Sequence, residues 1–158
     1  MSLRLSQYLD PSCILLQVKN RRRPDALAEV ADLLRTHPDV TSFEGFYEDL
    51  LSRDRLASTS IGHGVSLPHS RTSHVRRIVV AVGRSDRGLP DDSGPPLRLL
   101  FILGTPRSEP GDYLMLVGAL CRLIKEPANR ELLLNAPTPE TFLAAIITLE
   151  NKILGPVK

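Results

Sequence analysis

Cysteine is scarce in this chain: 158 residues carry two, Cys13 and Cys121. Both stand in apolar runs, and neither has a CxxC or metal-type spacing. Nothing in the pattern therefore asks for a disulfide framework, and two buried thiols in a reducing compartment are expected. Long apolar runs are missing as well. None approaches the ~20 residues that a bilayer span needs, so no membrane insertion is expected. Residues 1–20 lack the basic start, apolar core and small-residue cleavage site of a secretory signal, which points to the cytoplasm. Nor does charge of one sign dominate. The formal net charge is +2, too weak a field to draw nucleic acid over long range. The run Arg21-Arg22-Arg23 is short and reads as a solvated loop. There is no internal repeat, coiled coil or low-complexity segment.

What remains is an ordinary globular composition, 42% hydrophobic and 24% charged, in a chain long enough to bury its core as one domain over residues 1–158. Cys13 to Val18 is short, apolar and partly β-branched, and predicts a strand. Pro24 suits a first helical turn. Leu27, Val30, Ala31 and Leu34 follow at helical spacing as one apolar stripe. Thr41 and Glu44 have the spacing of a capping box, ahead of a second helix lined by Phe43, Phe46, Tyr47, Leu50 and Leu51. Ala57 to Ile61 and Val65 to Leu67 predict short strands around a turn on Gly62 and Gly64. Arg77 to Gly83 and Leu97 to Gly104 predict stronger ones, with apolar cores that suit mid-sheet positions covered on both faces. A Gly/Pro/Asp-rich loop over residues 84–96 separates them.

The last third predicts three helices: one with Tyr113, Val117, Leu120, Cys121 and Ile124 on one face, a short one from Pro127, and a last one capped by Thr138. The order is strand, two helices, clustered strands, three helices. It indicates an α/β (α+β-like) domain, with a central sheet of about five strands flanked by helices on both faces. The tight turn at Gly62-His63-Gly64 makes that sheet mixed.

The informative stretch is Arg53-Asp54-Arg55-Leu56-Ala57-Ser58-Thr59-Ser60-Ile61-Gly62-His63-Gly64-Val65-Ser66-Leu67-Pro68-His69-Ser70-Arg71. On its own a Pro-His pair usually marks a turn. Here the continuous run resembles the signature of the enzyme IIA family of the bacterial phosphotransferase system, of the fructose/mannitol/nitrogen-regulatory type. The resemblance extends to the flanking helices and to the strand from Leu97, without large insertions.

It implies that His69 accepts a phosphoryl group from the phosphohistidine of the carrier HPr or its nitrogen-branch paralogue. Histidine suits this role because a neutral imidazole offers an unprotonated nitrogen, and the N–P bond it forms is labile. A backbone carbonyl is expected to fix its tautomer. Arg53 matches the family's motif arginine and is expected to neutralise the phosphoryl charge; its other reading is a cation favourable to a helix end. Ser58 and Thr59 match hydroxyl positions that could donate to phosphoryl oxygens, or serve strand packing and turns. Arg71, Arg76 and Arg77 read as a partner-facing or solvated rim.

One position departs from the family. Where a second histidine commonly faces the first, this chain has Tyr113, which can donate a hydrogen bond but cannot be cationic. His63, His69 and His74 lack acidic or cysteine companions at a zinc spacing, so neither metal nor cofactor is expected. The resemblance implies an HPr-like donor and, downstream, a regulatory target or a IIB protein. A nitrogen-regulatory carrier is the leading expectation. Its rivals are a sugar-specific IIA component and a non-phosphorylated binding module of the same fold.

Overall fold

The two longest apolar runs pair with each other in a computed structural model, which describes residues 3–92, 94–108 and 110–156. β5 (Val79–Leu89) and β6 (Leu97–Pro106) are antiparallel, from Val79 opposite Gly104 to Arg84 opposite Leu99. Val79 to Val82 and Leu99 to Leu103 are all buried, so both faces of this pair are covered.

Side chains alternate across a strand, which assigns the faces. Val79, Ala81, Gly83, Leu100, Ile102 and Gly104 share one. It receives α1 (Arg23–Ala31) and α2 (Phe43–Leu56) at very short range. A Cβ on Gly83 would lie 2.3 Å from Val30 Cγ2, and one on Gly104 would lie 2.7 Å from the Phe46 ring. On the opposite face Arg84 reaches the end of α4 (Pro127–Asn135), donating to the carbonyls of Leu133 and Ala136 at 2.9 and 2.8 Å. α3 (Pro110–Lys125) and α5 (Pro139–Leu154) pack with α4. Helices thus cover both faces, as the sequence indicates.

The sheet has six strands, in the order β1-β5-β6-β3-β2, with β4 also paired to β6. β1 is only Ile14–Leu15, parallel to β5. The turn before it, Pro11–Cys13, is capped by Asp10, whose carboxylate accepts from the Ser12 N–H, and this shortens the expected strand. β2 (Ser60–Gly62) and β3 (Val65–Ser66) form a hairpin whose loop residues His63 and Gly64 have φ of 60° and 76°. Such twist-matched turns are the ones that close two-residue hairpins.

β4 (His69–Thr72) is a strand that the sequence pattern does not announce. β3 and β4 lie end to end along one edge of β6, parallel to it, whereas β5 is antiparallel. The sheet is therefore mixed.

Other differences have local causes. The expected loop over residues 84–96 begins later, because β5 continues to Leu89. Arg84, polar and easily read as a loop residue, is buried with its guanidinium satisfied by helix-end carbonyls. Ser42, not Thr41, caps α2: its hydroxyl accepts from the Gly45 N–H at 3.2 Å, while the Thr41 N–H pairs with the His74 carbonyl at 2.8 Å. The Thr138 cap of α5 is as expected. Cys13 is buried, but Cys121 is half-buried; both are free thiols.

At the start of the described chain, Arg4 donates to the Asn151 side chain at 3.0 Å and to the Gly155 carbonyl. The Ser6 N–H reaches Glu150 Oε2 at 3.4 Å, so this segment is tied along α5. Among the described residues no helix is long and apolar enough to cross a membrane.

Two alanine substitutions are expected to move stability in opposite directions. Gly83→Ala drives a methyl into Val30 and should cost about 1–3 kcal/mol. Gly118→Ala, exposed within α3 with nothing near its would-be Cβ, should gain about 0.5–1 kcal/mol. Urea-unfolding midpoints measure both.

Candidate active site

Between β3 and β4 the chain crosses Leu67-Pro68 while staying bonded on both sides. The Leu67 N–H donates to the Thr59 carbonyl, and the Pro68 carbonyl accepts from the Leu103 N–H, both at 2.9 Å. This holds the Leu67 carbonyl 2.9 Å from Nδ1 of His69, the first residue of β4. A carbonyl only accepts, so Nδ1 carries the proton and the neutral ring keeps its lone pair on Nε2.

The hydroxyl of Tyr113, in the first turns of α3, lies 2.8 Å from Nε2 and donates to that lone pair. The two rings are 4.8 Å apart and tilted by 34°.

His69 is half-buried. Burial is the largest influence on its pKa and pushes it down; the Leu67 carbonyl opposes this, Arg53 lowers it further and Asp54 raises it, with a net shift below the ordinary histidine value. The ring is therefore neutral at physiological pH. Burial raises the pKa of Tyr113, so its phenol stays protonated and is always a donor.

His69 and Tyr113 open into a cavity of about 350 Å³ that Arg53, Arg71, Arg107 and Leu56 also line. Arg53 stands in the last turn of α2, its guanidinium 3.5 Å from the Ala57 carbonyl. Arg71 projects from β4 and donates to the Arg107 carbonyl at 3.3 Å. Three side chains that are cationic at physiological pH thus share the concavity with the imidazole. Chemically, the arrangement presents a nucleophilic nitrogen to an anionic electrophile beside three guanidinium groups, the one carboxylate of the lining, Asp49, being engaged by the Thr72 hydroxyl at 2.7 Å.

The sequence motif brings some of its residues here and not others. Arg53 and Tyr113 line the cavity with His69. Ser58 and Thr59 are not among its lining residues. Ser58 is exposed and its hydroxyl accepts from the Ser60 N–H at 3.2 Å. Thr59 is buried, and its hydroxyl meets Ser66 at 3.0 Å and Arg23 at 3.0 Å. Arg23, read from sequence as part of a solvated loop, opens α1 and makes an ion pair with Asp54 at 2.8 Å.

The sequence pattern does not single out Arg107. Leu56, which lines the cavity, is 81% exposed, and Leu114 and Met115, which follow Tyr113 on α3, are 67% and 47% exposed. His74 packs its ring over Gly45, whose would-be Cβ would lie 2.5 Å from it. Among the described residues no group of three or more His, Cys, Asp or Glu side chains gathers as a metal site.

A model of the family described as "Phosphoenolpyruvate-dependent sugar phosphotransferase system, EIIA 2" matches residues 7–148. A nitrogen regulatory protein of Pseudomonas aeruginosa is 28% identical over 151 residues, covering 94% of this chain and 98% of that protein. A PTS fructose-specific EIIA component of Haloferax volcanii is 30% identical over 130 residues, 81% of this chain and 84% of that one. The crystal structure of nitrogen regulatory protein IIA-Ntr from Neisseria meningitidis superposes with a TM-score of 0.82 at 27% identity, covering 90% of this chain and 98% of the other.

The ring geometry has a spectroscopic consequence. Nitrogen-edited NMR should find neutral His69 protonated on Nδ1, with a titration midpoint below the ordinary value of about 6.5. Tyr113→Phe removes a donor that favours the unprotonated Nε2, so the midpoint should rise. A neutral ring protonated on Nε2 would contradict the geometry.

Proposed function

Since the chain belongs to the EIIA 2 family of the phosphoenolpyruvate-dependent sugar phosphotransferase system, we propose that it carries a phosphoryl group on Nε2 of His69, as a nitrogen-regulatory type of IIA protein. The observation that carries this reading is the lone pair: Nδ1 is committed to the Leu67 carbonyl, which leaves Nε2 as the nucleophile facing the basic cavity.

Transfer then needs little covalent machinery, because positioning and charge compensation do most of the work. Nε2 attacks phosphorus of the donor's phosphohistidine; the donor N–P bond breaks and its electron pair returns to the donor imidazole. The Tyr113 hydroxyl, released from Nε2, donates to a phosphoryl oxygen. Arg53, with Arg71 and Arg107 on the same concavity, offsets the charge on the three equatorial oxygens. Ser58 and Thr59 support the loop that leads into the site rather than the phosphoryl itself.

The donor is an HPr-like phosphocarrier. It docks on the exposed Leu56, Leu114 and Met115, with the arginines as rim. The product carries about −1.5 to −2 charge at that spot, which a downstream regulatory target or a IIB protein reads. The regulatory assignment is supported by the near end-to-end match to a nitrogen regulatory protein. A cytoplasmic location belongs to the same reading.

Incubation with phosphoenolpyruvate, enzyme I and HPr or its nitrogen-branch paralogue should yield an acid-labile, alkali-stable adduct that His69→Ala abolishes. Tyr113→Phe should still accept, with the equilibrium displaced toward the donor by roughly tenfold, the amount by which a hydrogen bond to a charged phosphoryl oxygen exceeds the neutral one lost from Nε2. A second reading follows from Tyr113 itself, a neutral group on the nucleophile: the same face acts as a docking module without phosphorylation. No adduct with either carrier would establish that reading, and an adduct persisting in His69→Ala would move the site.

A further inference from the structure

Arg23 lies outside the cavity, yet it touches the two segments that build it. Its guanidinium grips Asp54 side-on, Nε to Oδ2 at 3.2 Å and Nη2 to Oδ1 at 2.8 Å. The same Nη2 reaches the hydroxyls of Thr59 at 3.0 Å and Ser66 at 3.2 Å, and those hydroxyls are 3.0 Å apart. Arg23 and Asp54 expose only 25% and 14% of their side chains, so water screens the pair poorly.

The clamp joins the first residue of α1 to the last turn of α2, the approach to β2, and β3. Asp54 is the neighbour of Arg53. Ser66 is the neighbour of Leu67, whose carbonyl sets the His69 tautomer.

We propose that Arg23 is a positioning residue for the chemistry of His69. It offsets part of the charge of Asp54 and pins Ser66, so that the imidazole is held by Leu67 and faces the positive charge of Arg53 with its acidic neighbour partly neutralised. This deepens the phosphoryl-carrier reading and rests on His69 being the acceptor.

The groups around the ring define what the clamp must balance. α2 contributes Asp49, Arg53 and Asp54, β4 contributes Arg71, the segment after β6 contributes Arg107, and α3 contributes Tyr113. The Asp49 carboxylate is already engaged, accepting from the Thr72 hydroxyl at 2.7 Å. Of the two charges that act on the His69 pKa, Arg53 lowers it and Asp54 raises it. Losing Arg23 leaves the second without the cation that partly offsets it. The ring then protonates at higher pH and its Nε2 lone pair is lost.

The test is a charge cycle in the full chain, read by NMR titration of His69 without any phosphoryl donor. Arg23→Gln should move the midpoint up and Asp54→Asn should move it down. The double variant should return it toward the wild-type value, because the two opposite shifts offset each other. Arg23→Lys keeps the charge but not the fork, so it should restore the midpoint while adduct formation stays slowed. At neutral pH, Arg23→Gln should accept phosphoryl on the order of tenfold more slowly.

Unchanged midpoints in folded Arg23→Gln and Asp54→Asn, or shifts of the same sign, overturn the proposal. If Arg23→Gln does not fold, Asp54→Asn and Arg23→Lys decide the matter by the same signs. Absence of any adduct in the wild-type protein would sink the carrier reading instead, and the titrations would still judge the clamp.

Discussion

The hydrogen bond from His69 Nδ1 to the Leu67 carbonyl is the contact on which the site depends. It spans two residues of one chain and converts a ring with two equivalent prospects into one with a single nucleophilic atom. Its strength comes less from the bond itself than from what holds the carbonyl still. Leu67 is bonded to Thr59 and Pro68 to Leu103, so the carbonyl cannot turn away without breaking the ladder. Partial burial works in the same direction by disfavouring the imidazolium.

The sheet supplies that rigidity through close approach. α1 and α2 sit on glycines of the two central strands, which places the end of α2, and with it Arg53 and Asp54, beside the edge where β3 gives way to β4. On the other face α3 brings Tyr113 over the same edge. The site is thus the meeting point of elements packed from opposite sides, and its groups owe their distances to the core rather than to the loop that carries the histidine.

Much of this was legible in the sequence, because the signals were local and repetitive. Leu27, Val30, Ala31 and Leu34 keep helical spacing and are all buried. The apolar runs in β5 and β6 have no other stable place than the middle of a sheet. The motif around Pro68-His69 carried the resemblance.

What was not legible depends on partners far along the chain. β4 reads His-Ser-Arg-Thr, with Ser70 and Thr72 buried and Arg71 exposed; it is a strand because β6 offers it a ladder, not because it is apolar. Arg23 and Asp54 are 31 residues apart, beyond any periodicity. Thr59 illustrates a subtler limit. A motif position gives a neighbourhood, but in extended chain adjacent residues face opposite ways, and here Ser58 is exposed while Thr59 turns into the protein. Arg84 misled the loop boundary because its burial is tolerable only once two helix-end carbonyls are in place.

The contacts of Arg4 with Asn151 and Gly155 bring the two ends of the described chain side by side along α5. A polypeptide folded in this way can be spliced into a larger one as an insert: entry and exit are neighbours, and linkers on either side would leave the strand pairing intact. One arginine near the beginning, bonded to a carbonyl near the end, is what makes such a unit tolerant of extension at either side.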